Sequence, residues 1–127
     1  MNINDVSGMI VDRSVRIHKA LGPGLLESVY QRVLSYELRK SGLAVETEVP
    51  IPIEWDGHVI SESFRADMIV GGVILIELKS VGKILPVHKK QTFTYLKLAD
   101  IRLGLLLNFG ESLLKDGIYR IANGVKD

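Results

Sequence analysis

Between Phe64 and Ser80, two apolar runs rich in β-branched residues flank Gly71-Gly72. That pattern dictates strand, turn, strand. The runs carry Asp67, Glu77 and Lys79. Glu77 and Lys79 are two apart, so a strand projects them from the same sheet face. Asp67 stands ten positions ahead of Glu77, and its face depends on the turn. A two-residue loop at Gly71-Gly72 sets Asp67 opposite Ile76, on the wrong side. A three-residue loop from Val70 to Gly72, or a bulge, shifts the register by one and brings Asp67 to the side of Glu77 and Lys79. Gly72 at the last loop position accepts positive φ, so the shifted register is expected.

Two carboxylates and an ammonium on one face of an otherwise apolar hairpin are costly to bury without a partner. A divalent metal is one partner, and hard oxygen ligands suit Mg²⁺ or Mn²⁺. The plainer alternative is a cross-strand ion pair on a solvated face.

The rest of the chain limits the choices. A length of 127 residues predicts one domain, 1–127, with a proper core. A net charge of +1 excludes a globally basic surface, so a nucleic-acid site must come from local clustering. The absence of cysteine excludes a disulfide framework and thiolate metal sites. No apolar run reaches spanning length and the first residues lack signal-peptide features, so a cytoplasmic protein with no membrane partner is expected.

A helix capped by Asn4 or Asp5 runs to about Leu21, with Val6, Met9, Ile10, Ile17 and Leu21 on its core face. His18, in its last turn, is expected to be a capping or surface residue. Leu21-Gly22-Pro23-Gly24 breaks it. A second helix runs from about Leu25 to Lys40, ended by Ser41-Gly42. On it Glu27 heads a stripe continued by Tyr30, Leu34 and Leu38. Alternating Val45, Thr47, Val49, Ile51 and Ile53 form a first strand, with Pro50 and Pro52 marking a free edge or bulge. Asp56-Gly57 signals a hairpin, with Trp55 and His58 packing beside it. A second strand, about 59–70, delivers Asp67. A third, 73–80, delivers Glu77 and Lys79.

A third helix begins near Pro86, with His88, Gln91 and Tyr95 on one face. Lys83, Lys89, Lys90 and Lys97 form the densest basic cluster, either a solvated face or phosphate contacts. Ile101–Asn108 reads as a central strand covered on both sides, reached by a crossover. A turn at 113–117 leads into a last strand, 118–122. The order is α-α-β-β-β-α-β-β, an α/β sandwich around a mixed central sheet flanked by helices.

That order, with Glu27 on an early helix, Asp67 on the second strand and Glu77-Leu78-Lys79 on the third, resembles the PD-(D/E)XK nuclease superfamily. Within it the chain is similar to the small GxxExxY proteins, through Gly24-Leu25-Leu26-Glu27-Ser28-Val29-Tyr30. Gln91-Thr92-Phe93-Thr94-Tyr95 resembles the Gln-x-x-x-Tyr element of RecB-like nucleases. Ala66 stands where the superfamily's name has proline. The resemblance implies a restriction-endonuclease-like fold and a Mg²⁺- or Mn²⁺-dependent nuclease acting on nucleic acid, with DNA favoured. The alternative is a catalytically inactive module that binds nucleic acid or protein on the same fold.

The resemblance also implies roles. Asp67 and Glu77 would hold the metal with the Leu78 carbonyl, and Glu27 would join directly or through a water. Lys79 would orient the attacking water and stabilise developing negative charge. Gln91 would orient Lys79 or a phosphate oxygen, with Tyr95 as its buttress. Lys83, Lys89 and Lys90 would contact substrate phosphates. A homodimer would help so small a domain grip two strands.

Overall fold

The computed structural model describes residues 1–60 and 64–124. Helix α1 spans Ile3–Leu21. Its cap is Asn2, whose side chain accepts from the Asp5 N–H at 2.9 Å. Asp5 returns the bond to the Asn2 N–H, a capping box. The helix therefore starts ahead of the expected Asn4 or Asp5, because Asp5 serves as the third-position partner rather than the cap. Helix α2 spans Glu27–Lys40, two residues shorter at its start than expected. Tyr30, Leu34 and Leu38 on its inward stripe are wholly buried.

Strands β1 (Val45–Pro50), β4 (Arg65–Val70), β5 (Ile74–Lys79), β6 (Leu103–Asn108) and β7 (Ile118–Ala122) form one sheet in the order β1-β4-β5-β6-β7. Every neighbouring pair is antiparallel except β5 and β6. Helix α3 (Pro86–Ala99) connects those two. A parallel pair needs such a crossover. β6 is buried along its full length, as its unbroken apolar run requires.

Two apolar layers cover the sheet. Met68, Val70, Ile74, Ile76, Leu78 and the odd-numbered leucines of β6 pack on α1 and α2 through Ile10, Ile17, Tyr30 and Leu34. Ile69 and Leu75 pack on the opposite side against Leu96 of α3. A Cβ on Gly104 would meet Leu96 and Thr92 at 3.1–3.3 Å, so the bare glycine sets how closely α3 lies on β6. This is the restriction-endonuclease-like α/β sandwich.

The three antiparallel strands expected between α2 and α3 are divided differently. β1 ends at Pro50, and β2 (Ile53–Trp55) pairs with β3 (His58–Ile60) as a separate small sheet. Pro50 and Pro52 lack the N–H that a continuing ladder needs. Asp56 and Gly57 both take positive φ, 51° and 77°, the conformation of a two-residue hairpin turn. Of the expected second strand, residues 61–63 lie outside the described residues, and Arg65–Val70 joins the main sheet. Trp55 pairs with His58 beside the turn and is 74% exposed. His18 also departs from expectation. It is buried, its Nε2 lies 2.8 Å from the Glu111 carbonyl oxygen, and it is tilted against Phe109.

Candidate active site

The turn between β4 and β5 fixes the site. The ladder pairs Val70 with Ile74, Ile69 with Leu75 and Met68 with Ile76. The loop is thus Gly71–Val73, one residue further on than expected. Gly71 and Gly72 both take positive φ, 61° and 69°, and the Val73 N–H donates to the Val70 carbonyl at 3.1 Å. Val73 is the extra residue, a bulge on a two-residue turn. The parity is the shifted one, and the register runs on to set Asp67 across from Glu77 rather than Leu75.

At that point the ladder gives way to side chains. The Leu78 N–H donates to Asp67 Oδ2 at 2.7 Å, and the Asp67 N–H donates to Glu77 Oε1 at 3.3 Å. Each carboxylate is held by the backbone of the opposite strand. Glu77 is only 7% exposed. Burial, and then the Asp67 charge, push its carboxyl up to about 8 from an ordinary 4.5. Asp67 is also raised, chiefly by burial and further by Glu27 and Glu48, against the lowering influence of the Leu78 N–H and Lys79. Two carboxylates in one partly dehydrated space each favour the neutral form of the other.

Glu27 reaches this field through a stapled turn. The Tyr30 hydroxyl, buried under Phe109 at 4.3 Å between ring centroids, donates to the Gly22 carbonyl at 2.5 Å and accepts from the Leu25 N–H at 3.1 Å. Ser80 Oγ donates to the Leu25 carbonyl at 2.7 Å. Residues 22–26 are therefore fastened both to α2 and to the end of β5. An open cleft of about 500 Å³ lies there, lined by Gly24, Leu25, Leu26, Glu27, Ser28 and Ser80. Glu27 is exposed on its rim.

Tyr95 closes the other side. Its ring stacks on Phe64 at 3.6 Å, and its hydroxyl is raised by burial and by the Glu77 and Asp67 charges. Gln91 lies one turn earlier on α3 and is exposed, as are Lys83, Lys89 and Lys90. Lys89 is drawn over the Tyr119 ring of β7, 4.3 Å from its centroid. The lysines thus differ in setting although they are close in sequence.

Three contributors escaped the sequence. Glu48 takes φ 51°, rare for a residue other than glycine, at the position across from Asp67 where the β1–β4 ladder skips. An exposed Glu on an alternating edge strand gives no sign of this. Buried Asn108 donates to the Val81 carbonyl and accepts from the N–H groups of Val81 and Gly110, each at 3.0 Å. It fixes the chain leaving Lys79. A polar residue closing the apolar run Leu103–Leu107 was its available signal. Ser80 carries no pattern at all.

The donor set fits a small hard dication. The two backbone bonds use one oxygen of each carboxylate, and the mutual repulsion of Asp67 and Glu77 is what a cation would relieve. Paired strand residues exchange both N–H and C=O across the same gap, so the Leu78 carbonyl faces the strand its N–H does. Among the described residues, no group of three or more His, Asp and Glu side chains is close enough to hold a metal. A site here would have two carboxylates, a carbonyl and water, in the manner of Mg²⁺. No helix among the described residues is long and apolar enough to cross a membrane.

A family model described as the PD-(D/E)XK nuclease superfamily matches residues 4–121. No match was found among curated proteins. One similar solved structure, described as "Crystal structure of SSO0001", is 25% identical with a TM-score of 0.48, over 95% of this chain and 67% of that one.

Proposed function

Because the chain belongs to the PD-(D/E)XK nuclease superfamily, we propose that it hydrolyses nucleic-acid phosphodiester bonds with Mg²⁺ or Mn²⁺ at Asp67 and Glu77. The reciprocal bonding of these two carboxylates across the opened β4–β5 pair carries the proposal. Asp67, Glu77 and the Leu78 carbonyl would hold the ion, with Glu27 at the rim acting through a water. When bound, such an ion polarises the phosphoryl oxygen and offsets charge on the departing oxygen.

The chain's own residues do the positioning. Lys79 leaves the same strand face as Glu77 and lies close enough to oppose the rise in both acids. There its ammonium orients a nucleophilic water and meets negative charge growing on phosphate. Tyr95, pinned by Phe64, limits water around the carboxylates and buttresses Gln91 toward a phosphate oxygen. Lys83, Lys89 and Lys90 supply phosphate contacts on the α3 side, and DNA is the favoured substrate. Gly24 through Tyr30 supports placement among the GxxExxY proteins, with Tyr30 as the staple and Glu27 as the acid it positions.

A cleavage panel of single-stranded, duplex and branched DNA and RNA with Mn²⁺ tests this. Asp67→Ala and Lys79→Ala should each abolish cleavage with unchanged circular dichroism. Retention of activity in both refutes the assignment. The rival reading is a binding module without chemistry on the same fold. Calorimetry showing no Mn²⁺ uptake would establish that rival instead.

A further inference from the structure

The outer face of α2 carries Arg32, Tyr36, Arg39 and Lys40, all exposed. With Thr47 of β1 they line an open cleft of about 590 Å³. A helix rises about 1.5 Å per residue, so Arg32, Tyr36 and Lys40 follow one another at about 6 Å. Tyr36 is 62% exposed, an aromatic ring set among cations with Lys40 Nζ 6.0 Å from its centroid. Arg39 is oriented by donating to the Val45 carbonyl at 2.9 Å.

A row of basic residues on a helix is ordinarily a solvated face laced with acidic partners. Here the nearest acids are turned to other partners, and Glu37 of α2 lines a separate cleft with Arg13 and Arg16 of α1. The ion pairs among the described residues join Asp12 to Arg13 and Arg16, on α1. Glu48 of β1 turns toward this face, but its Oε1 accepts from the Gln31 amide at 3.1 Å. That bond also ties the near end of the face to the site, because the Glu48 charge adds to the field at Asp67.

We infer that this face of α2 binds a single-stranded stretch of nucleic acid leaving the cleft, with phosphates on Arg32, Arg39 and Lys40 and a base stacked on Tyr36. An exposed ring among cations suits an unpaired base, whose π-face a duplex hides. The inference rests on the proposed nuclease function for its substrate class, but it places contacts on α2 where the sequence pointed to the lysines of α3.

The test is fluorescence anisotropy with a labelled 15-nucleotide oligothymidylate in EDTA, so that binding is read without cleavage. Wild type should bind with a steep salt dependence. Arg32→Glu with Lys40→Glu should weaken binding at least tenfold and flatten the log–log salt slope by about 1.4, roughly 0.7 per lost phosphate contact. Tyr36→Ala should weaken it about tenfold, and Tyr36→Phe should restore it. Circular dichroism confirms that these surface variants fold. Failure of wild type to bind, tighter binding of a duplex of equal length, or unchanged affinity and slope in the variants overturns the inference. A wild type that cleaves nothing yet shows these losses refutes the nuclease assignment alone. One that cleaves while all variants bind equally refutes the α2 track alone.

Discussion

Replacing Glu77 by Gln should make the metal-free protein more stable at alkaline pH. The folded chain holds the Glu77 carboxyl at about 8 against an ordinary 4.5, through burial first and Asp67 second. Between those values the folded state keeps a proton that the unfolded state has released. Stability is therefore full below about pH 4.5, falls as pH rises toward about 8, and is level above. At about 1.4 kcal/mol per pH unit the whole interval corresponds to roughly 5 kcal/mol. That is a ceiling, because the side chain can turn toward water, and a loss of about 2–3 kcal/mol is expected. Gln keeps the oxygen that accepts from the Asp67 N–H and removes the charge. Urea melts in EDTA should show the two proteins equal near pH 5 and the variant more stable by about 2–3 kcal/mol at pH 8.5. Mn²⁺ added in excess over the chelator should reverse the order, since a ligand at about 1,000 times its Kd stabilises by about 4.1 kcal/mol and only wild type should gain it. Parallel pH profiles for the two proteins would refute the account of a strained, metal-ready carboxylate.

Other expectations follow from contacts of the same kind. Tyr30→Phe removes the bonds to Gly22 and Leu25 and should cost about 1–3 kcal/mol in thermal melts, with faster amide exchange across 22–26. Asn108→Leu strands the N–H and C=O of Val81; a loss of about 2–5 kcal/mol, with exchange at Val81 rising first, is the expected signature. Gly104→Ala presses on Leu96 and Thr92 and should cost about 1–3 kcal/mol while leaving Mn²⁺ affinity unchanged by calorimetry.

The sandwich was legible because its strands and helices carry their faces in plain periodicity. Tyr30, Leu34 and Leu38 at helical spacing, and the unbroken apolar run of β6, each admit one environment. The alternation from Val45 to Ile53 was legible too, but not its interruption. Whether a proline ends a strand or merely marks its edge depends on what pairs beside it, and the paired residues are distant in sequence. At the site, parity was within reach of the sequence because Gly71-Gly72 allows few turns. Its placement one residue later was not, since Val73 shows no local preference for the bulge. Glu48 was beyond reach, because its positive φ belongs to a skip in the β1–β4 ladder whose other strand is distant in sequence.

The bulge at Val73 lies at the far end of β4 and β5 from the carboxylates, yet it determines on which side of the sheet Asp67 emerges. Removing one residue from Gly71–Val73 would rotate β4 by a half-turn relative to its neighbour and drive the acid into the leucine-lined layer beneath α2, with Met68 taking its place. Removing or adding two would keep the sidedness and merely slide the acid past Glu77. The hairpin thus behaves as a parity lock, in which the length of a surface turn, counted as odd or even, decides whether the proposed reaction centre can assemble at all.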